Sequence, residues 1–266
     1  MRNSTGSKAK KVIKTRALVP RSIFEVEVYD SYTDKDFINP EILQKTAIGI
    51  QGTGGLGVHF ATNIARMGYG HIEICDGDNV ELKNLPIQFF YLSQIGQNKA
   101  LACIDNLKRE CTGKATLAAY PMYFADVFKA YPKAFSKTRI LVSLVDNHKA
   151  RYETAEFGLR HKIPVIFAGV SVDMKIASVF IQKPGEACFN CFKDLYNERN
   201  KLVKEQCRHL AVLYPHTAIA SIAVYAATEM AMGRKTPWNY FYLSFSGESI
   251  NGYLERNPNC EMCGGI

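Results

Sequence analysis

Hydrophobic and polar residues alternate with two different periods along this chain. Short and nearly continuous apolar runs, typical of strands buried on both faces, occur at 45–51, 71–76, 138–146 and 164–171. Apolar residues at helical spacing fill longer segments at 58–68, 99–111, 148–162 and 217–233. Because the two kinds of segment alternate, the pattern predicts an α/β fold with a mainly parallel sheet.

The segments near the two ends carry separate predictions. Residues 24–30 alternate as an edge strand does, and residues 34–44 contain a short helix. The stretches YFYLSFSG (240–247) and NGYLERNP (251–258) predict a C-terminal antiparallel hairpin. The sequence has no apolar run of about 18 residues and no apolar core of a signal peptide, so we expect a cytoplasmic protein without a membrane span.

The net charge of +8 is concentrated at the N-terminus. Residues 1–22 hold seven basic and no acidic residues, which leaves 26 basic and 25 acidic residues in 23–266. We therefore predict a basic flexible arm at 1–22 and a nearly neutral domain at 23–266. A solvated or disordered tail is the favoured role of the arm, and contacts to nucleic acid or to an acidic protein are the alternatives; for the protein as a whole we do not expect a nucleic-acid partner.

A glycine-rich loop, GTGGLG, joins the strand at 45–51 to the following helix. Gly52, Gly54 and Gly57 satisfy the G-x-G-x-x-G pattern, and Gly55 adds to the loop. Such a loop brings a phosphate close to the free amides at the helix N-terminus. Asp76 ends the next strand 19 residues after Gly57, where an acid accepts hydrogen bonds from a ribose. The loop predicts a nucleotide site; its alternative role is helix–strand packing alone.

Further polar residues follow the carboxyl ends of the predicted strands, which is the edge where open α/β sheets bind ligands. Asp78, Asn84 and Gln88 follow the strand at 71–76, and Asp146 and Asn147 lie at the end of the strand at 138–146. Carboxylates gathered beside a nucleotide favour Mg²⁺, which bridges carboxylate and phosphate oxygens. Lys99, at the start of a helix, is placed to neutralise phosphate charge. Each acid taken singly is equally typical of a helix cap or a turn.

Four of the eight cysteines form two C-x-x-C pairs, Cys188 with Cys191 and Cys260 with Cys263. In a reducing compartment such pairs indicate a metal rather than disulfides. Together they offer four thiolates, which predicts a closed, structural zinc site; independent buried cysteines are the alternative.

These motifs, in this order, resemble the ThiF/MoeB/HesA family, the bacterial relatives of ubiquitin-activating enzymes. The resemblance rests on GxGGLG, D-G-D-N-V-E-L-x-N-L-x-x-Q, G-x-x-K-A, D-N-x-x-x-R and two C-x-x-C pairs over residues 40 to 266. It implies a Rossmann-like, doubly wound sheet with a four-cysteine zinc knuckle and a C-terminal antiparallel extension.

The resemblance also implies an activity. Members of this family bind Mg-ATP and join AMP to a C-terminal carboxylate, usually that of a small β-grasp carrier protein, and they release pyrophosphate. By position, Gly54 lies against the phosphates, Asp76 holds the ribose, Asn84 and Lys99 contact the phosphate chain, and Asp146 positions magnesium. The implied assembly is a homodimer that acts on a carrier or on a ribosomal peptide.

Cys207 matches a family cysteine that serves in sulfur transfer or in covalent capture of the activated carrier. Arg208 and His209 beside it favour the thiolate. An inert, exposed thiol is the alternative role for Cys207.

The sequence departs from the family pattern N-L-x-R-Q, because Ile87 stands where the family has a phosphate-clamping arginine. The N-terminal R-Y-x-R-Q motif is also missing, and Arg16 or Arg21 is a candidate to supply the cation in trans. We therefore carry two functions forward, a divergent adenylating enzyme and a non-catalytic zinc-stapled scaffold. A nicotinamide-dependent oxidoreductase is a third, but it has no use for Lys99 and Asp146.

Overall fold

The strands at the centre of the sheet consist of buried residues, as their uninterrupted apolar sequences predict. The computed structural model describes residues 37–193 and 212–264 and the backbone of residues 13–16. Its strands are β1 Ile13–Arg16, β2 Ala47–Gln51, β3 His71–Cys75, β4 Thr116–Tyr120, β5 Ile140–Ser143, β6 Val165–Val170, β7 Ile176–Gln182, β8 Tyr240–Ser244 and β9 Ser249–Gly252. Its helices are α1 Pro40–Lys45, α2 Gly55–Arg66, α3 Lys99–Glu110, α4 Phe124–Ala130, α5 His148–His161 and α6 Leu213–Ala231.

Within the described residues the strands form one sheet in the order β1-β4-β3-β2-β5-β6-β7-β8-β9. The five strands from β4 to β6 are parallel, and β1, β7, β8 and β9 pair antiparallel. The chain runs outward from β2 to β4 and then returns to place β5 beside β2. The strand order therefore reverses between β2 and β5, and the crevice beyond their carboxyl ends is where ligands bind in this class of fold.

Helices cover both faces of the sheet, which confirms the predicted doubly wound fold. On one face α2, α3 and α6 pack through Phe60, Ile104 and Ala223 into a single apolar core. On the other face α4 and α5 pack through Phe124 and Ala155, next to the cysteine pairs. The two layers bury the central strands, from whose carboxyl ends the loops of the candidate site leave.

Most predicted elements are confirmed to within a few residues, including α1 and the β8–β9 hairpin. Helix α2 begins at Gly55, earlier than predicted, because the last glycines of the loop already form its first turn. Helix α6 begins at Leu213 rather than at 217 and contains Pro215 in its first turn, where no amide donor is needed. The pattern did not predict β4, α4 and β7.

Four residues of the predicted N-terminal arm have a described backbone, and the arm as a whole stays a prediction. Residues Ile13–Arg16 form β1, whose backbone pairs with β4 at the edge of the sheet. The outer edge of β4 offers backbone hydrogen-bonding groups to an extended segment, and Ile13–Arg16 is the segment that pairs with it. The predicted edge strand at 24–30 and the boundary between 22 and 23 lie outside the described residues.

Candidate functional site

The glycine loop leaves β2 and turns into α2 with a backbone that only glycine permits. Gly52 has a φ of +88°, and a Cβ atom at Gly57 would lie 2.0 Å from the Gly52 carbonyl oxygen. Gly54 is the N-cap of α2 and supplies no side-chain cap, while the space around its Cα is open. The first amides of α2 therefore face an open space with room for an anion.

Asp76, directly after β3, is tied to this loop. Its Oδ2 accepts hydrogen bonds from the Thr53 amide and hydroxyl at 2.7 and 2.9 Å, and its Oδ1 accepts one from the Asp78 amide at 2.8 Å. Burial raises the pKa of Asp76, in spite of these hydrogen bonds and the charge of Lys99. The carboxylate thus joins the glycine loop to the acidic loop that follows β3.

Asp78 brings the acidic loop into contact with two other elements. Lys99 Nζ, at the start of α3, lies 3.3 Å from Asp78 Oδ2, and the Tyr123 hydroxyl donates to Asp78 Oδ1 at 2.7 Å. Partial burial acts to raise the pKa of Asp78, but the hydrogen bond from Tyr123 and the charge of Lys99 outweigh it and lower that pKa. Asp78 is therefore an ionised group within reach of solvent.

The sequence did not predict two residues that contact the loop after β3, Asn98 and Tyr123. Asn98 caps α3 with its Oδ1 and donates through Nδ2 to the carbonyl oxygens of Asp76 and Asp78 at 2.9 and 3.0 Å. Tyr123 lies so close to Gly77 that a Cβ atom there would be 2.6 Å from its ring. An asparagine directly before a helix is a recognisable cap, but nothing local connects Tyr123 with a loop 45 residues earlier.

Asn84 and Gln88 lie in the same segment as the position of the absent arginine. The buried Asn84 accepts a hydrogen bond from the Glu81 amide at 2.8 Å and closes a 3₁₀ turn, Leu82–Asn84. Gln88 is buried too, and its Oε1 accepts no hydrogen bond within the described residues. The Ile87 carbonyl accepts a hydrogen bond from His59 Nε2 at 3.2 Å, which joins this segment to α2.

The loop after β5 approaches the glycine loop from the other side. A Cβ atom at Gly52 would lie 2.7 Å from the Val145 side chain, so the two loops touch. Asp146 follows in an exposed position, and its side chain has no hydrogen bond or ion pair among the described residues. Asn147 caps α5 by accepting from the Lys149 amide at 2.8 Å.

Arg151 fixes the position of this loop. The buried guanidinium donates to the Val145 carbonyl at 2.7 Å and to the Ala168 carbonyl on β6 at 3.0 Å. Asp76, Asp78 and Lys99 form one cluster, the Asp76–Lys99 cluster. The structure thus gathers the glycine loop, this cluster and the Asp146 loop at the carboxyl ends of three adjacent strands. Cys207 lies outside the described residues.

The four paired cysteines form a second, separate cluster. Their sulfur atoms lie within 4.8 Å of one another, with distances of 3.8 Å from Cys188 to Cys191, 3.6 Å from Cys188 to Cys260 and 3.6 Å from Cys191 to Cys263. Four sulfurs placed at about 2.3 Å from a tetrahedral zinc ion are about 3.8 Å apart, so the spacing fits zinc.

Hydrogen bonds around the cluster hold the cysteine side chains and the backbone that carries them. Burial acts to raise the pKa of Cys260, but the Asn190 side chain donates to its sulfur at 3.4 Å, and with nearby backbone amides it lowers that pKa to about 6. Arg256 donates to the carbonyls of Cys263 and Gly264 at 2.5 and 3.2 Å. The cluster connects the chain at 188–191 with the C-terminal segment.

Comparison with known proteins agrees with this geometry. The profile of the ThiF family matches residues 37–262. A molybdopterin-synthase adenylyltransferase of Escherichia coli (strain K12) is 27% identical over 235 residues, which cover 86% of this chain and 91% of that protein. A ubiquitin-like modifier-activating enzyme 5 of Bombyx mori is 31% identical over 166 residues, which cover 58% of this chain and only 41% of that enzyme.

The fold is also found in solved structures. The E. coli MccB structure with ATP matches with a TM-score of 0.69 and 21% identity, over 85% of this chain and 68% of that one. PaaA matches with a TM-score of 0.69 and 19% identity, over 86% of this chain and 84% of that one. The family profile, which spans most of the chain, confirms the predicted resemblance, and the relatives confirm the predicted class of enzyme. This chain belongs to the ThiF family.

Proposed function

We propose that this chain is an adenylyltransferase that activates a C-terminal carboxylate with ATP. The observation that carries the proposal is the meeting of the glycine loop, the Asp76–Lys99 cluster and the Asp146 loop where the strand order reverses. A site for a nucleoside triphosphate with Mg²⁺ uses these groups, namely free helix amides, a cation and exposed carboxylates.

Different residues contact the phosphates and the ribose in the proposed complex. The open N-terminus of α2 at Gly54 and the Lys99 ammonium receive the phosphates, and Asp76 receives the ribose. Asn84 and Gln88 shape the wall beside the phosphate chain, and Asn147 holds the start of α5 beside Asp146. Exposed Asp146 and ionised Asp78 are hard oxygen donors that suit Mg²⁺, which supplies charge neutralisation when bound.

The reaction needs orientation more than side-chain chemistry. A carboxylate oxygen of the substrate bonds to the α-phosphorus of ATP while the bond to the bridging oxygen breaks, and pyrophosphate leaves with its electron pair. The chain aligns the two anions and neutralises their repulsion. Cys207 is proposed for a later covalent step, in which its thiolate displaces AMP from the acyl adenylate.

For the substrate we propose the C-terminus of a β-grasp carrier protein or of a ribosomal peptide. The molybdopterin-synthase and ubiquitin-like relatives are named for systems of the first kind, and one MccB structure contains MccA. The proposed setting is the cytoplasm, since none of the seven described cysteines forms a disulfide. No described helix is both long and apolar enough to cross a membrane.

We propose a homodimer that forms through the segment between β3 and α3. Five large apolar side chains of this segment are 44% to 72% exposed, and a second copy of the chain would bury them: Leu82, Phe89, Tyr91, Leu92 and Ile95. For the N-terminal residues we propose an arm that ends near residue 22 and is anchored through β1.

One observation favours the scaffold as a second candidate. Ile87 leaves the segment after Asn84 without the family's arginine, so a nucleotide there lacks one cation. A scaffold would keep the zinc site and the partner surface but would not bind ATP.

Exchange of labelled pyrophosphate into ATP, in the presence of Mg²⁺ and candidate carriers or peptides, separates the two functions. For an enzyme we expect exchange that falls about 100-fold in Asp146→Ala. Asp105→Ala, which removes an exposed carboxylate that pairs with Lys108 on α3 outside the site, serves as the control and keeps full exchange. Absence of ATP binding and of exchange with every substrate would leave the scaffold.

A further inference from the structure

A wide groove lies at the edge of the sheet opposite the nucleotide site. It has a volume of about 1320 Å³ and is bordered by the first residues of the central strands, among them Ala47 of β2 and His71 of β3. Arg139 and Pro164, directly before β5 and β6, complete this border. Because the parallel strands separate the two edges, the groove takes no part in the proposed adenylation.

The lining of the groove is strongly basic. It contains five lysines and arginines, two histidines and no acidic residue: Lys45, Lys137, Arg139, Arg160, Lys162, His71 and His161. Of the five, only Lys45 forms an ion pair within the described residues, an exposed one of 4.0 Å with Glu41. Residues 23–266 as a whole are almost neutral, with 26 basic and 25 acidic residues, so this is a local concentration of positive charge.

Apolar groups are mixed with these cations. Eight of the residues that line the groove are apolar: Ala47, Phe128, Pro132, Ala134, Phe135, Phe157, Ile163 and Pro164. The rings of Phe128 and Phe157 stack at 4.7 Å, and His161 packs against Phe157 at 4.2 Å. Ala47, Ala134 and Phe135 are buried, so the half-buried Phe128 and Phe157 supply most of the aromatic surface between the charges.

The backbone that borders the groove is held in an unusual shape. Phe135 lines it and adopts a positive φ of +56°, whereas the φ of +53° at Lys162 is that of an ordinary left-handed C-cap of α5. The Phe135 amide donates at 2.6 Å to Glu73 Oε2, while Glu73 Oε1 pairs with His71 at 2.6 Å. A strained bulky residue that is locked by a buried carboxylate points to a shape kept for a purpose.

We infer that this groove binds an acidic segment of a polypeptide partner, with its carboxylates on the lysines and arginines and its apolar side chains on the phenylalanine stack. A phosphate-rich ligand would use the cations but would leave the apolar residues without a partner. The volume exceeds that of most small-molecule pockets, about 300–1000 Å³, which agrees with an extended ligand.

The test measures binding of a fluorescent peptide of about twelve residues, alternating Glu and Leu, by anisotropy at low salt. We expect saturable binding that weakens at least about tenfold in Lys137→Gln/Lys162→Gln and weakens further at high salt. The matched variant Lys114→Gln/Lys175→Gln removes two exposed lysines elsewhere and keeps wild-type affinity. No saturable binding, or an equal loss in the matched variant, overturns the inference.

Two further measurements test whether another anion binds in the groove and whether the variants have lost their fold. Inorganic tripolyphosphate and a single-stranded oligonucleotide are added as unlabelled competitors, and displacement by either at a lower concentration than the unlabelled peptide overturns the choice of a polypeptide. Equal thermal unfolding midpoints of wild type and both variants show that the charge, not the fold, has changed. Unchanged pyrophosphate exchange in Lys137→Gln/Lys162→Gln keeps this groove distinct from the proposed active site, and reduced exchange contradicts its independence.

Discussion

Lys99 Nζ lies 3.3 Å from Asp78 Oδ2, although only 10% of the lysine side chain is exposed and 52% of the aspartate side chain is. A buried ammonium thus reaches the edge of the proposed nucleotide site and meets a carboxylate that solvent can also reach. In the proposed function this arrangement would hold the cation in place before the phosphates bind, so that less reorganisation is needed.

Replacement of Lys99 by Ala is expected to reduce pyrophosphate exchange about 100-fold, because one preorganised cation beside the phosphates is lost. Lys108→Ala is the control, since Lys108 lies on the same helix and pairs with Asp105 at 2.6 Å outside the site. Exchange at wild-type level in Lys99→Ala would remove Lys99 from the proposed mechanism.

The two glycines Gly57 and Gly54 are expected to respond differently to alanine. A Cβ at Gly57 meets the Gly52 carbonyl at 2.0 Å, so Gly57→Ala lowers the free energy of unfolding by about 3 kcal/mol in urea denaturation. A Cβ at Gly54 meets nothing within 4 Å, so Gly54→Ala keeps the stability but weakens ATP binding by crowding the phosphates. Equal stability of the two variants would contradict the close approach at Gly57.

The cysteine cluster is expected to bind about one zinc ion per chain, measured by metal analysis of the purified protein. Cys260→Ser loses the metal and unfolds at a lower temperature, because the C-terminal segment is no longer joined to residues 188–191. Cys103→Ser is the matched control, since Cys103 is a buried thiol in α3 whose pKa burial raises to about 12. Zinc retained in Cys260→Ser would exclude the four-cysteine site.

Stability is expected to fall as the pH drops from about 7.5 to 5.5. Burial lowers the pKa values of His59 and His216 below 6.5, so the unfolded chain takes up protons in this range that the folded chain does not. The free energy of unfolding therefore decreases with falling pH, by up to about 1.4 kcal/mol per unit for each histidine.

Urea denaturation at several pH values checks this sign. His59→Gln/His216→Gln is expected to show a shallower dependence on pH than wild type, while the matched variant Gln97→Ala, which removes no ionisable group, keeps the wild-type slope. A double variant with an unchanged slope would mean that neither histidine is held neutral by the fold.

The sequence alone predicted the central elements of the fold, because their signals are local. A glycine loop between a buried strand and an amphipathic helix needs no tertiary contact to be recognised, and neither does a C-x-x-C pair. By contrast, the polar Ser178 interrupts the apolar run of β7, and β4 is a short strand with two alanines. Both depend on neighbouring strands to become strands.

The sequence by itself determined the residue types of the site and the loops that carry them. Only the tertiary structure decided that Asp76 accepts hydrogen bonds from Thr53 and that Tyr123 reaches Asp78. The basic groove likewise arises from segments that are distant in the chain. The physical reason is that spacing along a chain records short-range geometry, whereas strand order in the sheet sets which distant loops share an edge.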